Sequence, residues 1–283
     1  MDTNRNQARR VVIGITAHVD AGKTTLAEAM LYRTGRLRKL GRVDHGSAAM
    51  DSHLLERERG ITIFSSQAEL PIGNLEVTLL DTPGHVDFSA EMERTLSVLD
   101  YAILVISGAD GVQAHTRTLW RLLELYRIPT FLFVTKMDFG RCGRGQMMEH
   151  LRHELGEGCV DFTPADRERR MEQLATCRED ALEAYLDGGE VPDALVRQLV
   201  GRRLVFPCWF GSGLKLEGID GFLEGLARYV EPPVYPETFS ARVFKISHDP
   251  QGKRLTHLKV TGGTLRVRDA VSYAGHQEKA AQL

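Results

Sequence analysis

Five short apolar runs, at residues 11–16, 75–81, 101–107, 129–135 and 204–210, alternate with amphipathic patterns over 24–32, 88–99, 113–126 and 218–229. Each run is mostly β-branched or aliphatic and shows little polar alternation, the pattern of strands buried on both faces. Such strands separated by helices predict a doubly wound α/β domain with a mostly parallel sheet and right-handed crossovers. Residues 61–70 alternate more, which suits an antiparallel edge strand pairing with 75–80 across a turn at 71–74.

The stretch 141–203 breaks the rhythm. It is rich in Arg and Glu, with helical patterns at 146–155, 164–186 and 192–202, and reads as a helical insert on the flank of the sheet. Glu231-Pro-Pro-Val-Tyr-Pro236 then places three prolines in six residues, a stiff linker that sets the expected domain boundary at 236/237. Beyond it, 239–247 and 254–261 flank Asp249-Pro-Gln-Gly252, a hairpin signal. The 237–283 segment is small for an independent barrel, so the chain is expected to stop inside a second, β-structured domain.

The first apolar run leads into Ala17-His-Val-Asp-Ala-Gly22-Lys23-Thr24, and a helical pattern follows at once. Strand, glycine-bearing loop and helix are the context that a phosphate-binding P-loop requires. Gly22 lets backbone N–H groups curl around phosphate oxygens at a helix N-terminus, Lys23 reaches the β- and γ-phosphates, and the Thr24 hydroxyl suits Mg²⁺. Ala17 stands where the pattern has its first glycine. The alternative is a tight strand-to-helix turn carrying a surface lysine. His18 reads as a solvated side chain, and Asp20 as a group able to help hold a cation. Asp81-Thr-Pro-Gly84 ends the second run. A carboxylate there, beside the phosphate loop, is positioned to serve Mg²⁺, and the Gly84 N–H to meet a γ-phosphate.

Composition narrows the class. The formal net charge is −2, so no bulk positive charge marks the chain as a nucleic-acid binder. Cys142, Cys159, Cys177 and Cys208 lie at least 17 positions apart with no CxxC pair, which argues against a zinc site or a disulfide framework. No apolar run approaches the roughly 20 residues of a membrane span. The polar N-terminus has no signal-peptide pattern. A soluble cytoplasmic monomer without membrane contact is the expectation.

The ordered motifs AHVDAGKTT, RERGITI (57–63), DTPGHVDF (81–88) and TKMD (135–138) resemble the signatures of translational GTPases. Elongation factor G and the tetracycline ribosomal protection proteins are the nearest. The similarity continues through FGSGL (210–214) and ARVFKISHDPQGKRLTHLKVTGG (241–263), which resembles the start of those factors' β-barrel domain II, and so covers nearly the whole chain.

The resemblance implies a GTPase that binds GTP or GDP with Mg²⁺ and hydrolyses GTP with help from the ribosome. It assigns nucleotide binding to Asp20, Ala21, Gly22, Lys23, Thr24 and Thr25, with Asp81 and Gly84. Mg²⁺ falls to Thr24, Thr62 and Asp81, and catalysis to His85, Lys23 and Thr62, His85 orienting the attacking water. Thr62 could otherwise be a strand threonine, and His85, taken outside its motif, a solvated loop histidine. Base selection falls to Lys136 and Asp138, whose carboxylate discriminates for guanine, and to the loop Ser212, Gly213 and Leu214. The family usually has asparagine where Thr135 stands; threonine lacks the amide donor to the base and neighbouring loop, its hydroxyl replacing only part of that contact, which implies reduced nucleotide affinity with guanine preference kept by Asp138. Alanine is more usual at Gly213.

Between Asp138 and Ser212 lie 73 residues. That insert, with the region 41–68, resembles the protection-type subgroup more than elongation factor G proper. The remaining alternative is a nucleotide-binding module without ribosome-dependent hydrolysis. Arg33, Arg36, Arg38, Lys39 and Arg42 form a basic patch that suits ribosomal RNA or, equally, a solvated helix end.

Overall fold

A computed structural model describes residues 9–38, 66–82, 89–139, 142–163, 167–249, 251–273 and 275–280. The chain divides into two compact units, Met1–Pro232 and Pro233–Leu283, and the division falls within the proline-rich run.

The first unit is built on strands β1 (Arg9–Ala17), β2 (Ser66–Ile72), β3 (Leu75–Asp81), β4 (Tyr101–Ser107), β5 (Thr130–Thr135), β6 (Cys159–Asp161) and β7 (Phe206–Phe210). They form one sheet in the order β2-β3-β1-β4-β5-β7-β6. All pairings are parallel except β2 with β3, which runs antiparallel from Ser66 opposite Asp81 to Ile72 opposite Leu75. The edge strand expected at 61–70 is therefore seen from Ser66 and extends to Ile72; residues 61–65 lie outside the described residues.

The helices are α1 (Lys23–Arg33), α2 (Ser89–Leu96), α3 (Ala114–Leu125), α4 (Arg144–Leu155), α5 (Arg167–Ala175), α6 (Glu179–Gly188), α7 (Asp193–Gly201) and α8 (Ile219–Tyr229). They cover both faces of the sheet. Side chains alternate across a strand, so β5 sends Phe131 and Phe133 into one core with α1 and α8, and Leu132 and Val134 into the other with α3 and α4. Every residue of β4 and β5 is buried, which is why these runs carry no polar alternation. Each fully buried Leu, Ile or Phe contributes about 1.5–3 kcal/mol relative to exposure, which holds the strand ends rigid.

The insert departs from its expected form in two places. The helical pattern at 164–186 is two helices, because Thr176 Oγ1 donates to the Gln173 carbonyl (2.8 Å) and Cys177 N–H to that of Leu174 (3.1 Å), closing α5. Arg178 then takes an extended conformation as the cap of α6. The insert also contains a strand, β6, which lengthens the sheet beside β7. Three residues are too few for a periodicity to register. The last strand starts at Phe206 rather than 204, since Leu204 N–H still bonds back to Leu199 at the end of α7.

The second unit has two antiparallel hairpins, β8 (Ser240–His248) with β9 (Arg254–Gly262), and β10 (Ala270–Tyr273) with β11 (His276–Lys279). Asp249 closes the first, its Oδ1 accepting the N–H groups of Gln251 (2.9 Å) and Lys253 (2.8 Å). No helix among the described residues is long and apolar enough to cross a membrane.

Candidate functional site

The carboxyl ends of β1, β3, β5 and β7 share one edge of the sheet, the usual place for a ligand in an open α/β fold. Register brings this about: Ile15 lies opposite Asp81, Ala17 opposite Val105, Ser107 opposite Thr135, and Val134 opposite Phe210. The loops that leave these ends carry the sequence-predicted residues.

Between β1 and α1 the backbone turns sharply, with Ala21 N–H on the His18 carbonyl (3.1 Å). Gly22 precedes α1 at φ 92°, a left-handed conformation that a side chain would strain. No side chain caps this helix end, and the first intrahelical bond runs from Leu26 N–H to the Gly22 carbonyl (2.9 Å). The N–H groups ahead of it, through Lys23, Thr24 and Thr25, are thus the unspent donors of a helix N-terminus, a cradle for an anion.

Lys23 folds inward. Its ammonium lies 2.6 Å from Asp81 Oδ1 and donates to the Thr82 carbonyl. Both partners are buried, Asp81 completely. Thr82 is fixed in turn by two bonds to the Ile15 carbonyl, from its N–H (3.1 Å) and its hydroxyl (2.9 Å). The groups assigned to phosphate and to Mg²⁺ therefore hold each other. An incoming phosphate and cation would give each of them a new partner of the same sign as the old one, so the donor set fits both.

The segment that the sequence assigns to base selection leaves β5 at Thr135. The Thr135 hydroxyl donates to the Ala21 carbonyl at 2.6 Å, and Lys136 Nζ to the Asp20 carbonyl at 2.6 Å. Two successive residues thereby pin two successive carbonyls of the phosphate loop. Asp138 accepts from Lys215 Nζ at 2.6 Å, and this bond holds the Asp138 carboxyl below the usual carboxylate range. Lys215 is raised by the same contact. The Ser212 loop is closed by a reciprocal bridge with Glu217, both bonds at 3.0 Å, and Lys215 N–H donates to Ser212 Oγ (3.3 Å). Gly213 lies directly against α1: a Cβ built there would be 2.9 Å from the Thr25 carbonyl oxygen. Leu214 is exposed.

Three sequence-predicted residues, Thr62, Gly84 and His85, lie outside the described residues, as do Lys39 and Arg42 of the basic patch. Of the rest of that patch, Arg33 faces Asp220 at 3.4 Å. His18 is not a solvated side chain. It is partly buried, its ring lies 6.0 Å from that of His115, and its Nδ1 is shielded from solvent without a hydrogen-bond partner among the described residues. The Asp20 side chain is exposed, and the residue takes φ 61° so that its carbonyl can meet Lys136. Sequence reasoning overlooked Lys215. Its signal was a basic residue directly after the loop that must approach the Asp138 carboxylate.

Comparison with known proteins matches residues 8–232 to the elongation factor Tu GTP binding domain. An oxytetracycline resistance protein of Streptomyces rimosus is 39% identical over 92% of this chain and 43% of its own length. The tetracycline resistance protein TetO of Campylobacter jejuni is 33% identical with the same two coverages. A crystal structure of a protein from Thermus thermophilus superposes with a TM-score of 0.85 at 27% identity, covering 96% of this chain and 48% of that one. The chain thus spans less than half the length of these relatives.

Proposed function

Because the chain belongs to the elongation factor Tu GTP-binding domain family of translational GTPases, we propose that it binds GTP with Mg²⁺ and hydrolyses it under stimulation by the ribosome, in the manner of the tetracycline ribosomal protection subgroup. The observation that carries this reading is the convergence of Lys23, Asp81, Thr135, Lys136 and Asp138 on one sheet edge, where each is fixed by a named partner. The first unit is then the GTP-binding domain, and the hairpins after the linker begin a β-barrel.

In this reading the unspent N–H groups at the start of α1 and the Lys23 ammonium take the β- and γ-phosphates. Thr24, Thr62 and Asp81 are the residues that would hold Mg²⁺, which when bound neutralises charge on the phosphate oxygens. Gly84 reports the γ-phosphate through its N–H. His85 orients the attacking water, so that catalysis is mainly positioning and charge stabilisation. Asp138 accepts from the ring N–H and exocyclic amine of guanine, donors that adenine does not pair in that way. Lys136 lies along the base, and Ser212, Gly213 and Leu214 present backbone N–H groups to its oxygen. Loss of the γ-phosphate releases the segments around Thr62 and His85, which turns hydrolysis into a conformational signal. The cytoplasm, where ribosomes and GTP meet, is the proposed location.

The test is GTP turnover by wild type and His85→Ala, with and without 70S ribosomes, alongside GDP binding. Slow intrinsic turnover, ribosome stimulation, and loss of that stimulation in His85→Ala with GDP binding kept would support the proposal. Turnover that ribosomes do not change and the substitution does not touch would remove the ribosome-stimulated activity while leaving nucleotide binding in place.

A further inference from the structure

The insert carries an open cavity, lined in part by charged side chains, whose described lining residues are not shared with the nucleotide site. It has a volume of about 110 Å³, and its lining includes Arg144 and Arg152 from α4, Asp161 from β6, and Arg169 and Arg170 from α5. Arg144 and Arg152 are eight positions apart on one helix, and therefore on one face. Among the described residues, four arginines against one aspartate give this lining a net charge of +3.

Three of these arginines are anchored by named partners. Arg144 Nε pairs with Asp161 at 2.7 Å and its guanidinium lies 5.7 Å from the Phe210 ring centre. Arg152 Nε donates to the Cys159 carbonyl at 3.1 Å. Arg170 donates through Nη1 to the Phe162 carbonyl at 3.3 Å and stacks on the Phe162 ring at 5.4 Å. A guanidinium carries five N–H donors, so one anchoring bond orients the fork and uses only part of it. Arg170 Nε, by contrast, is shielded from solvent and has no hydrogen-bond partner among the described residues. A shielded donor without an acceptor is costly, and an anion that entered the cavity would relieve that cost.

We propose that this cavity is a binding site for a single phosphate group. Asp161 already neutralises Arg144, whereas Arg152 and Arg170 are anchored on the neutral carbonyls of Cys159 and Phe162 and so keep their charge for an anion. A tetrahedral phosphate with several terminal oxygens can accept from forks on two helices at once, whereas one carboxylate is satisfied by one bidentate arginine. Size points the same way. Pockets for whole small molecules run to roughly 300–1,000 Å³, so this one takes the phosphate and leaves the remainder of its bearer outside. The bearer is free inorganic phosphate or a phosphodiester of an RNA strand passing over α4 and α5, and the chemistry at the arginines is the same for both.

The experiment follows the arginine Nε–Hε signals of the ¹⁵N-labelled full chain, assigned by single substitutions. Potassium phosphate is titrated against potassium chloride at constant ionic strength, so that general screening is matched. The proposal expects the Arg152 and Arg170 signals to move along one saturating curve while that of exposed Arg121 stays still. Arg152→Gln and Arg170→Gln should each weaken binding by about tenfold or more, as charge-assisted bonds to phosphate are removed. Arg169→Gln, on the exposed rim, should weaken binding without disturbing the Phe162 stack, and so serves if either inner variant fails to fold. A short oligouridylate that competes with phosphate and binds more tightly through the same arginines would identify an RNA phosphodiester as the bearer, and response to phosphate alone would identify the free ion. Shifts that grow linearly at all arginines, unchanged in the variants, would overturn the proposal. So would saturation by an acidic peptide with no response to phosphate.

Discussion

The Thr135 hydroxyl donates to the Ala21 carbonyl at 2.6 Å, and so ties the end of β5 to the loop between β1 and α1. An asparagine amide is the expected donor at this position. A threonine hydroxyl, a shorter group, reaches the same loop at Ala21, beside Gly22, where a Cβ would stand in ordinary contact with Thr135 Oγ1 at 3.5 Å. On the loop side, the threonine hydroxyl thus takes over the contact that an asparagine amide would make.

Thr135→Val keeps the shape and removes the donor. It leaves the Ala21 carbonyl facing a methyl group, which costs about 1–3 kcal/mol for an unsatisfied buried acceptor. The expected outcome is a lower urea midpoint and several-fold weaker GDP binding, with Thr135→Ser close to wild type in both. Equal behaviour of Val and Ser would show that the bond contributes nothing to loop geometry.

A second prediction concerns Lys23 and Asp81, 2.6 Å apart and both buried. Removing one partner of a buried ion pair costs about 3–5 kcal/mol, because the other is left charged in a poorly solvating environment. Lys23→Met should therefore destabilise the nucleotide-free protein by that order, over and above its effect on GTP binding. Lys23→Met/Asp81→Asn should recover most of the loss. Urea unfolding of the two single variants and the double variant measures the coupling directly, and additive losses would refute it.

Much of this arrangement was legible in the sequence, for a physical reason. Buried parallel strands need continuous apolar runs, so β1, β3, β4 and β5 announced themselves, and a phosphate loop needs small residues and a lysine at fixed offsets. β6 was not legible, because three residues carry no period and its place beside β7 depends on tertiary contact. The break between α5 and α6 was missed because hydroxyl and thiol groups at Thr176 and Cys177 close the helix without a glycine or proline. The Lys215–Asp138 bond joins residues 77 positions apart, a pairing that only the register of β5 with β7 brings about.

That pairing gives a pH prediction. The hydrogen bond from Lys215 holds the Asp138 carboxyl below its ordinary range, with desolvation opposing it. A depressed folded-state value means that the pair's contribution is fully present above the unfolded-state value, near 3.9. It is lost as pH falls through the lower folded-state value. Both side chains are partly exposed, so the effect on stability is small. The clear readout is the carboxyl ¹³C shift of Asp138, which should titrate at higher pH in Lys215→Met than in wild type. No change would show that Lys215 does not engage the carboxylate in solution.

The last prediction inverts an expectation from composition. Alanine is the more usual residue at position 213 in this family, and Gly→Ala often stabilises by restricting the unfolded chain, by about 0.4–1 kcal/mol where the native backbone accepts it. Here the added methyl would meet the Thr25 carbonyl oxygen at 2.9 Å, its carbon at 3.0 Å and Leu26 N at 3.1 Å. All three atoms are backbone in the first turns of α1, which cannot yield as a flexible side chain would. Overpacking of this kind costs about 1–3 kcal/mol, enough to outweigh the entropic gain. Gly213→Ala should therefore lower the melting temperature and weaken GDP binding, because the loop proposed to meet the base is pushed off the helix that carries Lys23 and Thr24. A variant as stable as wild type, with unchanged GDP affinity, would show that the loop relaxes freely and that the close approach of Gly213 to α1 does not position it.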